Sequence, residues 1–115
     1  MILYGIKNCN TVKSAIEWLN KNKIEFTFHD YKKSGITNGK LKEWIKQVGW
    51  ESLVNKRGTT WRQLEEDVQK KVVNEKSAIV LMLEKTSVIK RPLIEENGKV
   101  LLQGFDEVEY KNALK

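Results

Sequence analysis

The chain has 115 residues, 40 % of them hydrophobic and 31 % charged, with a formal net charge of +6. That length suits one domain burying roughly 65 % of its unfolded surface, and the composition excludes a disordered or low-complexity chain. The longest apolar run, Ala78 to Leu83, falls far short of a membrane span. One cysteine, Cys9, and one histidine, His29, exclude an internal disulfide, a Cys-x-x-Cys pair and a zinc site of Cys and His within one chain. No basic n-region or cleavage site marks residues 1–6, so a signal peptide is not expected and a cytoplasmic location is. The positive charge comes from 18 lysines and three arginines, and the lysines are scattered among glutamates. A surface of that kind serves solubility, and base readout would call for more arginine, so nucleic acid ranks low as a partner.

In chain order, Ile2 to Ile6 reads as a short buried strand, followed by the polar turn Lys7-Asn8-Cys9-Asn10. From Thr11 to about Asn22 a helix is predicted, with Val12, Ala15, Ile16 and Leu19 on one face. Ile24 to Tyr31 alternates apolar and polar residues, which predicts a half-buried second strand. These three elements make a βαβ unit, so the two strands should be parallel neighbours. Thr37 then opens a helix carrying Leu41, Trp44, Ile45 and Val48 and stopped by Gly49. Trp50 to Val54 is apolar, residues 55–60 form a polar loop, and Trp61–Val73 and Glu75–Glu84 are predicted as two further helices. Asn97-Gly98 between two apolar runs signals a hairpin, and Asp106 with Glu109 predicts a capped final helix. The order is β-α-β, a helical insert over about 36–86, then β-β-α: an α/β chain of thioredoxin-like arrangement with a mixed sheet.

Within that order Cys9 falls between a strand end and a helix start. Free backbone N–H groups and the helix dipole favour an anion there, which makes a thiolate more available than in an ordinary cysteine. Its neighbours Asn8, Asn10 and Thr11 are polar, and Lys7 and Lys13 flank the turn, so a buried structural thiol is the weaker reading. Arg57 and Arg91, taken alone, are solvated charges, and Arg62 sits at a helix start. Pro92 opens the hairpin's first strand, where proline is tolerated. His29 reads as a structural histidine, and Trp18, Trp44, Trp50 and Trp61 read as packing residues. No phosphate-binding glycine loop is present.

Taken together, several segments resemble the arsenate-reductase-like family, comprising ArsC, Spx and YffB, and do so over essentially the whole chain. They are Leu3-Tyr4-Gly5-Ile6-Lys7-Asn8-Cys9-Asn10-Thr11-Val12-Lys13, Phe28-His29-Asp30-Tyr31-Lys32-Lys33, residues 55–61, Ile89-Lys90-Arg91-Pro92-Leu93 and Gly104-Phe105-Asp106-Glu107. The resemblance implies a thioredoxin fold with a helical insertion. It also implies Cys9 as nucleophile, Arg57 and Arg91 facing it, and a cis bond before Pro92. Lys7, Asn8, Asn10, Thr11 and Pro92 would line the substrate.

The YffB branch is most similar. It implies a thiol oxidoreductase with no bound cofactor and no metal, acting on glutathione or a mixed disulfide with glutathione as co-substrate. Arsenate reduction coupled to glutathione and glutaredoxin is the first alternative. Those enzymes hold the oxyanion with three arginines, and here none follows Arg91. An Spx-type regulator that binds the RNA polymerase α-subunit is the second alternative. Its Cys-x-x-Cys switch cannot form in Cys9-Asn10-Thr11-Val12.

Overall fold

A computed structural model describes residues 1–115. Four strands and eight helices follow one another: β1 (Ile2–Gly5), α1 (Asn10–Lys21), β2 (Thr27–Asp30), α2 (Tyr31–Ser34), α3 (Asn38–Val48), α4 (Trp50–Leu53), α5 (Thr59–Arg62), α6 (Glu66–Lys70), α7 (Glu75–Glu84), β3 (Leu93–Glu96), β4 (Lys99–Gln103) and α8 (Glu107–Leu114). The chain divides into two compact units, one of Met1–Ser34 with Arg91–Lys115 and the other of Gly35–Lys90.

The first unit holds the mixed sheet, in the order β2-β1-β3-β4. β1 runs parallel to β2 with Leu3 opposite Phe28, and antiparallel to β3 with Leu3 opposite Ile94. β3 and β4 form the expected hairpin, with a register shift at Ile94/Glu95. At its tip, Asn97 (φ 50°) and Gly98 (φ 84°) both take the left-handed backbone that a two-residue turn of this hand requires. One sheet face presents Leu3, Ile94 and Leu102 to Val12, Ala15, Trp18 and Leu19 of α1 and Tyr110 of α8. The apolar spacing of α1 leaves its lysines in solvent. Asp106 caps α8 by accepting from the Glu109 N–H at 3.0 Å, and the Tyr110 hydroxyl donates to the Gly104 carbonyl at 2.6 Å. This is the thioredoxin-like arrangement the sequence predicts.

Two predicted elements are shorter than expected. The second strand covers Thr27–Asp30 and not Ile24–Tyr31. The Ile24 N–H closes the end of α1 by donating to the Leu19 carbonyl at 3.0 Å, and Lys23 turns with φ 57°. At the far end Asp30 accepts from the Lys32 N–H at 2.9 Å, an Asx turn that bends the chain into α2 at Tyr31. Ile24, Phe26 and Phe28 still pack against the core, so the apolar alternation reflects burial more than pairing.

In the second unit the predicted Trp61–Val73 helix is instead α5 and α6, broken at an extended Glu65 (ψ 147°). Glu66 and Asp67 then occupy the first turn of α6, where carboxylates meet the positive end of a helix; in one long helix they would lie mid-span. The Gln69 side chain folds back to donate to the Trp61 carbonyl at 2.8 Å. α3 matches its prediction, with Leu41, Trp44 and Ile45 buried and Thr37 accepting from the Lys40 N–H. α7 is closed by a capping box between Asn74 and Ser77. An antiparallel bridge joins Val54, after α4, to Ile89 near the end of the unit.

At Gly5 the side chain of Val12 in α1 lies directly over the sheet. A Cβ there would stand 2.9 Å from Val12 Cγ2. Gly5→Ala should therefore cost about 1–3 kcal/mol in urea unfolding. Val12→Ala added to it should return part of that loss. A Gly5→Ala protein as stable as wild type would show that the contact is not limiting.

Candidate thiol site

Cys9 is the N-cap of α1, with extended backbone (φ −138°, ψ 119°). Its carbonyl accepts from the Lys13 N–H at 3.0 Å, while its side chain makes no capping bond. The sulfur-bearing side chain is half-buried, and its inner part packs beside the α1 core. No acidic residue occupies the first turn of α1, so nothing on that turn competes for the exposed amides. Lys7, Asn8, Asn10 and Thr11 around it are exposed. The helix begins at Asn10 because Val12 and Ala15 enter the core, which leaves Cys9 at the rim.

Arg91 and Pro92 open the returning half of the same unit. Their peptide bond is cis; Pro92 is buried and Arg91 half-buried. The Pro92 carbonyl accepts from the Gly104 N–H at 2.7 Å, which ties the segment to β4's exit. Arg57 belongs to the second unit and is exposed, between α4 and α5. Its loop is firmly built. The Asn55 side chain accepts from the Arg57 N–H at 3.2 Å, and the Asn55 N–H donates to the Val88 carbonyl at 2.8 Å. The Lys56 ammonium lies 5.9 Å from the Trp50 ring and 5.4 Å from the Trp61 ring, so these two half-buried tryptophans hold a cation as well as pack. Arg62 is exposed at the end of α5.

Sequence reasoning missed a polar group on the sheet face opposite the α1 core. The Tyr4 hydroxyl donates to Glu95 Oε2 at 2.8 Å, and Glu95 is only 2 % exposed. Tyr4 stacks with Tyr31 at 6.1 Å, and His29 contacts both rings at 4.7 and 6.0 Å, in keeping with its structural reading. Burial pushes the Tyr31 hydroxyl well above the usual tyrosine range; Tyr4 and Glu95 push it further, and the Arg91 guanidinium opposes them. Glu95 directly follows the apolar pair Leu93-Ile94 in the sequence. The only signal was the strand alternation that sets it on the side of Tyr4. No group of three or more His, Cys, Asp or Glu is placed to hold a metal ion, and no helix is long and apolar enough to cross a membrane.

The sheet order, the helix-capping cysteine and the cis-proline before β3 together define a thioredoxin-like domain with a single thiol at its rim. Residues 4–113 match the model of the ArsC family, and the chain belongs to that family. It is an arsenate-reductase-like protein in that sense. It is 46 % identical over 111 residues to an uncharacterized protein of Haemophilus influenzae, covering 96 % of each chain. It is 27 % identical to the global transcriptional regulator Spx 1 of Lactococcus lactis, over 97 % of this chain and 87 % of that one. Among solved structures, a YFFB protein superposes with a TM-score of 0.91 at 44 % identity, covering 99 % and 98 % of the two chains. An arsenate reductase (ArsC) related protein from Brucella melitensis gives 0.79 at 46 % identity, covering 99 % and 93 %.

Tyr110 is likewise pushed up, by burial first and by Glu109 second. An unfolded tyrosine ionises near 10, so both buried phenols stabilise the fold fully below that pH and lose the contribution as pH rises above it. Absorbance titration at 295 nm should show Tyr31 and Tyr110 still protonated at about pH 11 while the far-UV spectrum is native. Their ionisation before any loss of structure would contradict this burial.

Proposed function

We propose that the protein is a monothiol oxidoreductase that reduces disulfides or glutathione mixed disulfides in a reducing, cytoplasmic setting. The position of Cys9 as the exposed-edge N-cap of α1, in a chain of the ArsC family, carries this reading. The Cys9 thiolate attacks one sulfur of the substrate disulfide. That S–S bond breaks, a Cys9 mixed disulfide forms, and the other sulfur leaves as a thiolate that takes a proton from solvent. Glutathione thiolate then attacks the mixed disulfide, freeing Cys9 and leaving with the second sulfur as oxidised product. No general base is needed once the thiolate exists, because attack and departure are both by sulfur anions.

Arg57 and Arg91 supply positive charge for the thiolate and planar donors for the carboxylates of glutathione. Lys7, Asn8, Asn10 and Thr11 border the thiol along the chain, and Pro92 shapes the approach. Glutathione is a co-substrate here and not a resident cofactor. Two other readings have particular support. The Brucella relative, described as an arsenate reductase (ArsC) related protein, favours arsenate as substrate; glutathione and glutaredoxin would then be the reductants. The Lactococcus relative, a global transcriptional regulator, favours a regulatory role; docking to the RNA polymerase α-subunit would be its form. Arsenate-dependent consumption of reductant would move the first ahead, and Cys9-independent co-purification with the α-subunit would move the second.

Cys9→Ser should abolish reduction of a glutathionylated peptide; turnover retained by that variant would overturn the thiol mechanism. Arg57→Ala and Arg91→Ala should each slow the reaction by about 10- to 100-fold, the worth of one charge-assisted hydrogen bond. Wild-type rates in both would remove the arginines from the site.

A further inference from the structure

Ala78 to Leu83, the longest apolar run in the chain, fills the middle of α7. Ala78, Ile79, Leu81 and Met82 are buried, whereas Val80 and Leu83 are 58 % and 41 % exposed. A helix that is apolar all round is normally covered all round, and α7 is covered on one side only. Its open side borders a groove of about 450 Å³ shared with α6 and lined by Val68, Val72, Val73, Val80 and Leu81. Val68 and Val73 are exposed as well, so four of the chain's six exposed large apolar side chains gather here. Two charges frame this face. Lys76 and Glu84 line the same groove, are exposed, and stand four residues either side of Val80. Neither side chain has a hydrogen-bond or ion-pair partner. At 3.6 residues per turn Lys76, Val80 and Glu84 share one side of α7, over about 12 Å. Each charge also opposes its own helix: the ammonium stands in the first turn, at the positive end of the dipole, and the carboxylate in the last, at the negative end.

We propose that this face is the interface of a homodimer, in which α7 packs antiparallel to α7 of a second copy about a twofold axis beside Val80. That axis brings Lys76 of each copy level with Glu84 of the other, because both lie four residues from Val80. Two ion pairs then flank an apolar centre. Each charge comes to lie beside the end of the other copy's helix whose dipole it complements. The contact is isologous: one patch serves both copies and the pair closes on itself. Lys71, which also lines the groove, follows α6 and stays at the rim of the contact. A partner of uniform charge would satisfy only one of Lys76 and Glu84, and an anionic lipid surface would attract the first and repel the second. Two short helices a side make a patch smaller than a permanent dimer interface, so the association is reversible on dilution.

Sedimentation equilibrium of the full chain with a reductant present tests this. Wild type should pass from monomer to dimer between about 1 μM and 1 mM, and Cys9→Ser should do the same, since no disulfide is involved. Lys76→Glu and Glu84→Lys each set two like-charge contacts across the axis and should raise the dissociation constant at least about tenfold. Combining the two reverses both members of each pair and should return the constant to within about threefold of wild type. That rescue also shows the single variants to be folded, since an unfolded chain would not regain a specific dimer. Val80→Asp, which buries two carboxylates at the axis, should stay monomeric throughout that range. A wild-type monomer at every concentration would overturn the proposal, as would a dimer lost in Cys9→Ser or a double variant no better than the single ones. Vesicles of anionic lipid that bind a protein which never self-associates would assign the face to a membrane surface instead.

Discussion

Everything at the thiol site depends on how closely α1 lies on β1. Leu3, Val12, Ala15 and Leu19 are fully buried together, and Gly5 leaves no Cβ between the strand and Val12. Burying such side chains contributes about 1.5–3 kcal/mol each, which outweighs the modest intrinsic helicity of a 12-residue segment. Docking the helix by that stripe fixes where its first turn begins. The residue just before it, Cys9, then has extended backbone and a run of uncommitted amides beside its sulfur. The chemistry of the site is a by-product of where the hydrophobic stripe ends.

The same stripe fills the position at which a Cys-x-x-Cys partner would stand. Val12 stands three residues after Cys9, where a second cysteine would complete a Cys-x-x-Cys motif, and it is a fully buried member of the core. A single cysteine forms its disulfides with other molecules, which is why an external thiol enters the proposed cycle. The opposite sheet face carries a different kind of order. There a carboxylate, two phenols and an imidazole are gathered around β1 and β3, and the hydrogen bond from Tyr4 offsets part of the cost of withdrawing Glu95 from water.

Particular elements show what could be read from residue order. The stripes of α1 and α3, the Asn97-Gly98 turn and the Asp106 cap each involve interactions within a few residues, and each appears where expected. The second strand and the Trp61–Val73 segment differ from expectation because competing local contacts were stronger than periodicity. A helix-closing bond to Leu19 and an Asx turn at Asp30 shorten the strand, and a block of three acids makes a better helix start than a helix middle. No sequence pattern signals Lys56 between Trp50 and Trp61, because the two rings stand eleven positions apart with no periodic relation.

By itself, the sequence determined the strand order with the helices α1 and α8 that flank it, the single thiol at a helix start, and the family to which the chain belongs. These follow from short-range patterns and from which residue types are present. Tertiary structure alone decided the pairing of Tyr4 with Glu95 and the gathering of the Tyr4, His29 and Tyr31 rings. Tyr4 and Glu95 are 91 positions apart, and only the antiparallel register of β1 on β3 brings them together. Alternation within a strand sets which face a residue takes, but which residue it meets across the sheet follows from the register of the two strands, and that is fixed only when both are packed.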